Sequence, residues 1–243
     1  MSLTIFQEPV VLSLKLADIA ERDWPGLLDC LSPDERVRTG AFHHLADRQS
    51  YIAAHALLRL SLAPFLGSHP ARFVSNAYGK PCFAPDDAHA EIGFNISHCR
   101  GMVVVGLARG LAIGVDTEPL DRLEKHDVAA VARSLSGDEQ ALLAARHADD
   151  RHACLLDLWT LKESVIKATG QGLSLDLASF SVDPAQLSIV GLDGVWRLAR
   201  WDRDGYRVAL ALLGEPSLPP RHLAVEIIKQ ATGLEVIGKS QSL

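Results

Sequence analysis

Cysteine is scarce in this chain and never paired. Cys30, Cys82, Cys99 and Cys154 stand far apart with no C-x-x-C among them, which argues against a disulfide framework or a zinc site and suits a reducing compartment. Positive charge is not in excess either: 24 Lys and Arg against 30 Asp and Glu leave a formal net charge of −6. A nucleic acid is therefore not expected as the main partner, because displacing the counterions of a polyphosphate backbone needs a surplus of cations. A local basic patch for a small phosphorylated ligand stays open. No apolar run is long enough for a bilayer, since Met102 to Val115 is interrupted by Arg109-Gly110 and falls short of the roughly 20 residues a spanning helix needs. The opening residues MSLTIFQE show no basic region followed by a long apolar stretch, so a signal peptide is not expected and the cytoplasm is the expected location. The chain also lacks G-x-x-x-x-G-K-[ST], a usable G-x-G-x-x-G and G-x-S-x-G. That sets aside a P-loop, a Rossmann nucleotide site and a hydrolase nucleophile elbow.

What is present is a chain of 243 residues, 48% hydrophobic and 22% charged, able to bury a sizeable core in one large domain or two modest ones. Strands are expected at Val10 to Leu16, Phe73 to Ser75, Ile92 to Ser97, Met102 to Ala108, Leu111 to Val115, Phe180 to Val182, Trp196 to Trp201 and Tyr206 to Leu213. The three strands around Arg109-Gly110 read as a meander. Long helices are expected at about Asp47 to Phe65 and Arg151 to Thr169, the second stopped by Gly170. The tail beyond Pro220 carries no assignable pattern.

The two halves echo each other. Leu31-Ser32-Pro33-Asp34-Glu35 and Leu135-Ser136-Gly137-Asp138-Glu139 are 104 residues apart, and each has the Ser-x-x-Glu form of a capping box ahead of a long helix. Tyr51 and Trp159 lie 108 apart, as do Arg59 and Lys167, and Val11 to Leu14 precedes Ile113 to Asp116 by 102. A period of roughly 105 residues is too long for a solenoid repeat and fits two related domains. The expected fold is α+β: two similar subdomains, 1–110 and 111–243, related by a pseudo-two-fold axis, each a small antiparallel sheet packed with a long helix.

Chemistry-bearing residues concentrate in the second half. In the helix ending at Gly170, Leu155, Leu158, Leu161, Val165 and Ala168 form an apolar stripe, while Trp159, Glu163 and Lys167 recur at i, i+4 and i+8 on another. Taken alone, this is an amphipathic helix with a surface Glu–Lys pair. In Ile113-Gly114-Val115-Asp116-Thr117-Glu118, alternation puts Gly114, Asp116 and Glu118 on one face of a strand, with Gly114 leaving room beside the acids, and Ile113 and Val115 on the other. Two carboxylates side by side repel unless a cation lies between them. With Glu163 as a third, an all-oxygen donor set suits Mg²⁺, with Mn²⁺ acceptable to the same ligands. His98 follows Phe94-Asn95-Ile96-Ser97 at the end of a strand and, with Ser97, could face the same cleft. Lys80 in Gly79-Lys80-Pro81, together with Arg36 and Arg38, are either dispersed surface charges or phosphate contacts, for which Lys and Arg are the natural residues. Residue chemistry alone thus reaches a Mg²⁺-dependent enzyme acting on a phosphorylated small molecule between two domains.

Ile113-Gly114-Val115-Asp116-Thr117-Glu118, followed about forty residues later by Trp159-Thr160-Leu161-Lys162-Glu163-Ser164-Val165-Ile166-Lys167, resembles the paired signature of the 4′-phosphopantetheinyl transferases. Gly79-Lys80-Pro81 and Phe94-Asn95-Ile96-Ser97-His98 match upstream, and Gly170-Gln171-Gly172-Leu173-Ser174-Leu175 matches downstream, all in order. Length and echo resemble the pseudodimeric, surfactin-synthetase-activating (Sfp) type. The resemblance implies a monomer that binds coenzyme A between its halves. It would transfer the phosphopantetheine arm to a serine of an apo acyl- or peptidyl-carrier protein and release adenosine 3′,5′-bisphosphate.

Carried over, Asp116, Glu118 and Glu163 would hold Mg²⁺ on the pyrophosphate of coenzyme A. Glu163 would be the general base, directly or through a metal-bound water. Lys167 and His98 would contact the pyrophosphate, Lys80 and Ser97 the nucleotide side, and Arg36 and Arg38, by a looser match, the 3′-phosphate. Lys162 is left structural or near-site. Thr117 stands where Ile is common. The competing readings are another Mg²⁺-dependent phosphoryl-transfer enzyme or phosphodiesterase, and a non-catalytic relative that only binds carrier proteins.

Overall fold

A computed structural model describes residues 8–66, 71–121, 128–215, 221–230 and 233–240. β1 (Val10–Lys15) is followed by α1 (Trp24–Asp29), α2 (Pro33–Thr39) and the long α3 (Leu45–Leu66). α2 starts on the capping box: Ser32 Oγ accepts from the Glu35 amide at 3.3 Å, and Glu35 Oε2 accepts from the Ser32 amide at 2.8 Å. Two amides at the start of the helix, which have no partner within it, are thereby satisfied. A short hairpin, β2 (Phe73–Ser75) and β3 (Pro81–Phe83), leads to the longer antiparallel pair β4 (Ile92–Cys99) and β5 (Met102–Arg109).

β6 (Ala112–Pro119) does not extend that pair into a meander; it opens a second sheet. After it come α4 (Val128–Ser134), α5 (Gly137–Ala145), α6 (Ala148–Thr169), the hairpin β7 (Ser181–Asp183) and β8 (Ser188–Val190), and the strands β9 (Trp196–Arg203) and β10 (Tyr206–Leu213). β6, β10 and β9 form a three-stranded antiparallel sheet in that order. Where β6 leaves the first sheet, its Val115 amide donates to the side-chain oxygen of Asn95 on β4 at 2.9 Å. A side chain of β4 takes the donor that a backbone partner would have used. The unassigned tail supplies β11 (Arg221–Gln230) and β12 (Gly233–Ser240), and β11 runs parallel to β1, giving the five-stranded order β12-β11-β1-β5-β4. The last two strands thus belong to the sheet of the first half.

Alternation along the strands arranges four layers. Val10, Leu12 and Leu14 of β1, with Val103, Val105 and Leu107 of β5, pack against Ala53, Leu57 and Leu58 of α3. The opposite face of the same sheet, Val11, Met102, Val104 and Ala108, meets Ile113 and Val115 of β6 and Val208, Leu210 and Leu212 of β10. Beyond those, Ala209, Ala211 and Leu198 pack under Leu158, Leu161 and Val165 of α6. The order is α3, first sheet, second sheet, α6. Both sheets are covered on both faces, which is why Met102 to Ala108 reads as a nearly continuous apolar run. Each such side chain contributes about 1.5–3 kcal/mol by leaving water. The fold is α+β, as expected, and among the described residues no helix is long and apolar enough to cross a membrane.

The echo is also present as contacts, in a register shifted from the one the sequence suggests. α5 repeats the capping box, with Ser136 Oγ and Glu139 Oε2 accepting from the Glu139 and Ser136 amides at 3.3 and 2.8 Å. Glu35 then pairs with Arg59 of α3, and Glu139 with Lys162 of α6. The residue that answers Arg59 is therefore Lys162, 103 residues on, and not Lys167.

Candidate active site

β6 is positioned by what it lacks at Gly114. A β-carbon there would stand 1.9 Å from the Ser164 carbonyl oxygen and 2.3 Å from the Ala168 amide nitrogen, so glycine is what lets the strand lie directly against the backbone of α6. The sequence reading took this glycine as space beside the acids; that space is filled by the helix. The alternation holds, however. Ile113 and Val115 face the first sheet, while Gly114, Asp116 and Glu118 face α6, with Asp116 and Glu118 only 3% and 8% exposed.

At this seam three elements meet on one carboxylate. Asp116 Oδ1 accepts from Ser97 Oγ of β4 at 2.9 Å and from the Lys167 ammonium of α6 at 2.6 Å. Lys167 also donates to Ser97 Oγ at 3.0 Å, closing a triangle. Trp159 Nε1 donates to Glu118 Oε1 at 3.4 Å. Glu163, half-buried, stands one helical turn before Lys167 on the same stripe. The structure therefore brings Ser97, Asp116, Glu118, Trp159 and Lys167 into one seam between β4, β6 and α6.

Asp116 Oδ2 is buried with no hydrogen-bond partner. A buried carboxylate oxygen without a donor is costly, and a hard cation with oxygen ligands would satisfy it. Among the described residues, no three His, Cys, Asp or Glu side chains are already gathered into a metal cage, and the cation now on Asp116 is Lys167. The donor set and the orphaned oxygen fit a divalent metal.

His98, one residue past Ser97, is open to solvent by surface area yet crowded by neighbouring chain. That desolvation, then the Lys167 charge and the His55 charge, hold its imidazole below the usual 6.5, with Asp47 opposing. His98 thus senses both α3 and α6.

The basic residues expected at the nucleotide are engaged elsewhere. Lys80 Nζ donates to the carbonyls of Ile113 at 3.0 Å, Lys167 at 2.6 Å and Ala168 at 3.4 Å, completing the C-terminal end of α6. Next to it, Asn76 Nδ2 donates to the Gly170 carbonyl at 2.8 Å. Gly170 has φ +71°, and a β-carbon there would meet Asn76 Nδ2 at 2.8 Å. Burial pushes the Lys80 ammonium down to about 8. Arg36 donates to the Leu31 and Asp29 carbonyls at 3.0 and 2.7 Å. Arg38 is exposed, its guanidinium 5.8 Å from the Tyr51 ring centroid. The structure does not bring Arg36, Arg38 or Lys80 into the Asp116 triangle.

Sequence reading missed Asn95, which seals the β6 edge, and an ionic cluster behind Glu118. There Arg207 pairs with Asp157 of α6 and Asp202 of β9, and Arg200 Nη1 lies 2.6 Å from Asp157 Oδ1. The available signal was one arginine inside the otherwise apolar stretch Tyr206 to Leu213. Lys162 is fully buried, its ammonium 2.7 Å from both Glu139 oxygens and 2.5 Å from the Phe180 carbonyl. Its role is structural.

A family model described as the 4′-phosphopantetheinyl transferase superfamily matches residues 112–211, the stretch from β6 to β10. The 4′-phosphopantetheinyl transferase ffp of Bacillus subtilis is 34% identical over 68% of this chain and 71% of its own length. The 4′-phosphopantetheinyl transferase Sfp of Bacillus subtilis (strain 168) is 36% identical over 63% of this chain and 66% of its own. The 4′-phosphopantetheinyl transferase HetI of a Nostoc species is 27% identical but aligned over 88% and 92%. With a third of the residues shared across more than two thirds of a relative, this chain belongs to the 4′-phosphopantetheinyl transferase superfamily.

Proposed function

We propose that the chain moves the 4′-phosphopantetheine group from coenzyme A to a serine hydroxyl of an apo acyl- or peptidyl-carrier protein at the seam between β4, β6 and α6. The serine oxygen forms a bond to the phosphorus that bears the pantetheine arm. The pyrophosphate P–O bond breaks, and adenosine 3′,5′-bisphosphate leaves with the electron pair. The serine proton passes to a carboxylate. The observation that carries this reading is the Ser97–Asp116–Lys167 triangle, which puts an ammonium and a buried carboxylate with one unpartnered oxygen at a single point.

In this reading Asp116, Glu118 and Glu163 hold Mg²⁺, which when bound neutralises the charge that builds on the pyrophosphate. Glu163, on the rim of the seam, receives the serine proton as general base. Lys167 and His98 contact the pyrophosphate. Lys167, held at the seam by Asp116 and Ser97, supplies the ammonium that offsets charge on the phosphate oxygens. A neutral His98 in the free protein gains a proton more readily beside phosphate, and Ser97 donates on the nucleotide side. Arg38, over Tyr51, is the remaining candidate for the 3′-phosphate. The chain acts as a cytoplasmic monomer.

The test is to incubate the protein with coenzyme A, Mg²⁺ and several apo-carrier proteins and to weigh the carriers. A phosphopantetheine adduct on at least one is expected, and no adduct on any would refute the reading. Activity that survives Glu163→Ala would refute the site.

A further inference from the structure

Arg207 stands directly opposite Glu118 on the β6–β10 ladder. Residues paired in this way share a face, with β-carbons about 4.5–5.5 Å apart, so the guanidinium is within reach of a carboxylate proposed to bind metal. Its observed ion pairs are on other elements. Arg207 forms an ion pair with Asp157 of α6 and hydrogen-bonds to Asp202, its neighbour across the β9–β10 ladder, with Nη2 at 3.3 Å from Asp202 Oδ2. Asp157 is braced in turn by Arg200. The Arg207 side chain is 7% exposed and that of Asp157 14%. A guanidinium so buried keeps its charge and needs carboxylate partners. If those partners were lost, Glu118 would be the acid across the ladder to take their place, and a carboxylate neutralised by arginine binds a divalent cation poorly.

We propose that Asp157, assisted by Asp202, is a positioning residue that holds Arg207 away from Glu118 and so preserves the charge of Glu118 for a divalent cation. This rests on the metal-binding role proposed above for Asp116, Glu118 and Glu163. The arrangement acts through charge placement, because the ion-pair partners of Asp157 are Arg200 and Arg207 and its effect on Glu118 runs through Arg207.

The test is Mn²⁺ binding by the purified full chain without carrier protein, read by calorimetry and by the electron paramagnetic resonance of free Mn²⁺. Asp157→Asn should weaken Mn²⁺ affinity about 10–100-fold, as for other residues that support metal ligands. Arg207→Met should not weaken it, and Asp157→Asn with Arg207→Met should recover it. A purely structural role would lower thermal stability in all three and give no recovery. The inference is overturned if folded Asp157→Asn binds Mn²⁺ as the unaltered chain does. It is equally overturned if Arg207→Met alone loses affinity, since arginine would then be orienting Glu118; this arm decides the question should Asp157→Asn fail to fold. Glu118→Gln separates the two layers of the argument. If it leaves Mn²⁺ binding intact, or if the unaltered chain binds none, the carboxylate site falls and this inference with it. Loss on Glu118→Gln without loss on Asp157→Asn removes the inference alone.

Discussion

The two long helices, 22 residues each, are anchored in the same way through Arg59 and Lys162, yet they differ in what lies beside them. In the first half Glu35, the capping-box acid, receives Arg59 at 2.7 Å and His55 at 2.9 Å, and the Arg59 guanidinium lies 5.1 Å from the Phe73 ring centroid. In the second, Glu139 receives Lys162, whose ammonium lies 4.0 Å from the Phe180 ring centroid. The first anchor touches solvent, with side chains 14% and 13% exposed; the second is sealed at 0% and 1%. Burial raises the Glu35 pKa, but the hydrogen bonds from His55 and Arg59 outweigh it and hold the carboxyl well below the usual range. At Lys162, desolvation wins over Glu139 and lowers the ammonium. The difference reaches the site. At the helix offset of 103, Glu163 and Lys167 are answered by Leu60 and Pro64, and at the strand offset of 102 Asp116 and Glu118 are answered by Leu14 and Leu16. One anchor design serves two helices, and the helix residues proposed above for chemistry, Glu163 and Lys167, lie on the sealed one.

Six substitutions, in three pairs, test that contrast. Glu163→Gln should lower kcat for carrier modification by roughly 10²–10⁴-fold, whereas Leu60→Ala should leave kcat unchanged; equal losses would break the contrast. Lys162→Met leaves Glu139 buried without its cation and should cost about 3–5 kcal/mol in urea denaturation. Arg59→Met, at the wetter anchor, should cost about 1–3 kcal/mol. Gly114→Ala drives a methyl into the α6 backbone and should cost about 1–3 kcal/mol with a fall in kcat. Gly40→Ala, whose β-carbon would meet only the Val37 carbonyl at 3.4 Å, should stay within about 0.5 kcal/mol.

A further test lies in the pH dependence of stability. Lys80 titrates near 8 in the fold against an ordinary 10.5, so between those values the unfolded chain binds the extra proton. Stability of the unaltered chain relative to Lys80→Met should therefore rise with pH from about 8 to about 10.5 and be flat below. Paired denaturation curves across that range check it, and a difference that falls with pH would reverse the assignment.

Much of this was legible in the residues. Both capping boxes, the strand from Tyr206 to Leu213 and the glycine stop at Gly170 follow from local pattern and form as read. The Asp116–Lys167 meeting was legible only in outline, because the residues are 51 apart and the motif names them without a distance. Lys80 shows where such reading ends. A lysine in a Gly-Lys-Pro turn looks like a phosphate contact, and nothing local reveals that the turn docks on a helix end with carbonyls lacking partners. The Arg207 cluster was hidden for a related reason, since its pairings depend on which residues the β9–β10 and β6–β10 registers set opposite each other. The departure of β6 from β5 leaves a Val115 amide from which the Asn95 side chain accepts, a contact between residues 20 apart that no local pattern announces.

The Lys80 turn also has a consequence in time. It is 87 residues upstream of the Lys167 carbonyl to which it donates, so on the ribosome the cap is made before the helix it finishes. The hairpin that carries it can form while α6 is still unmade, and α6, on emerging, meets a docking point that fixes where its last turn stops. Synthesis order thus favours a helix whose final carbonyls, and the lysine side chain beside them, are set by a template already in place.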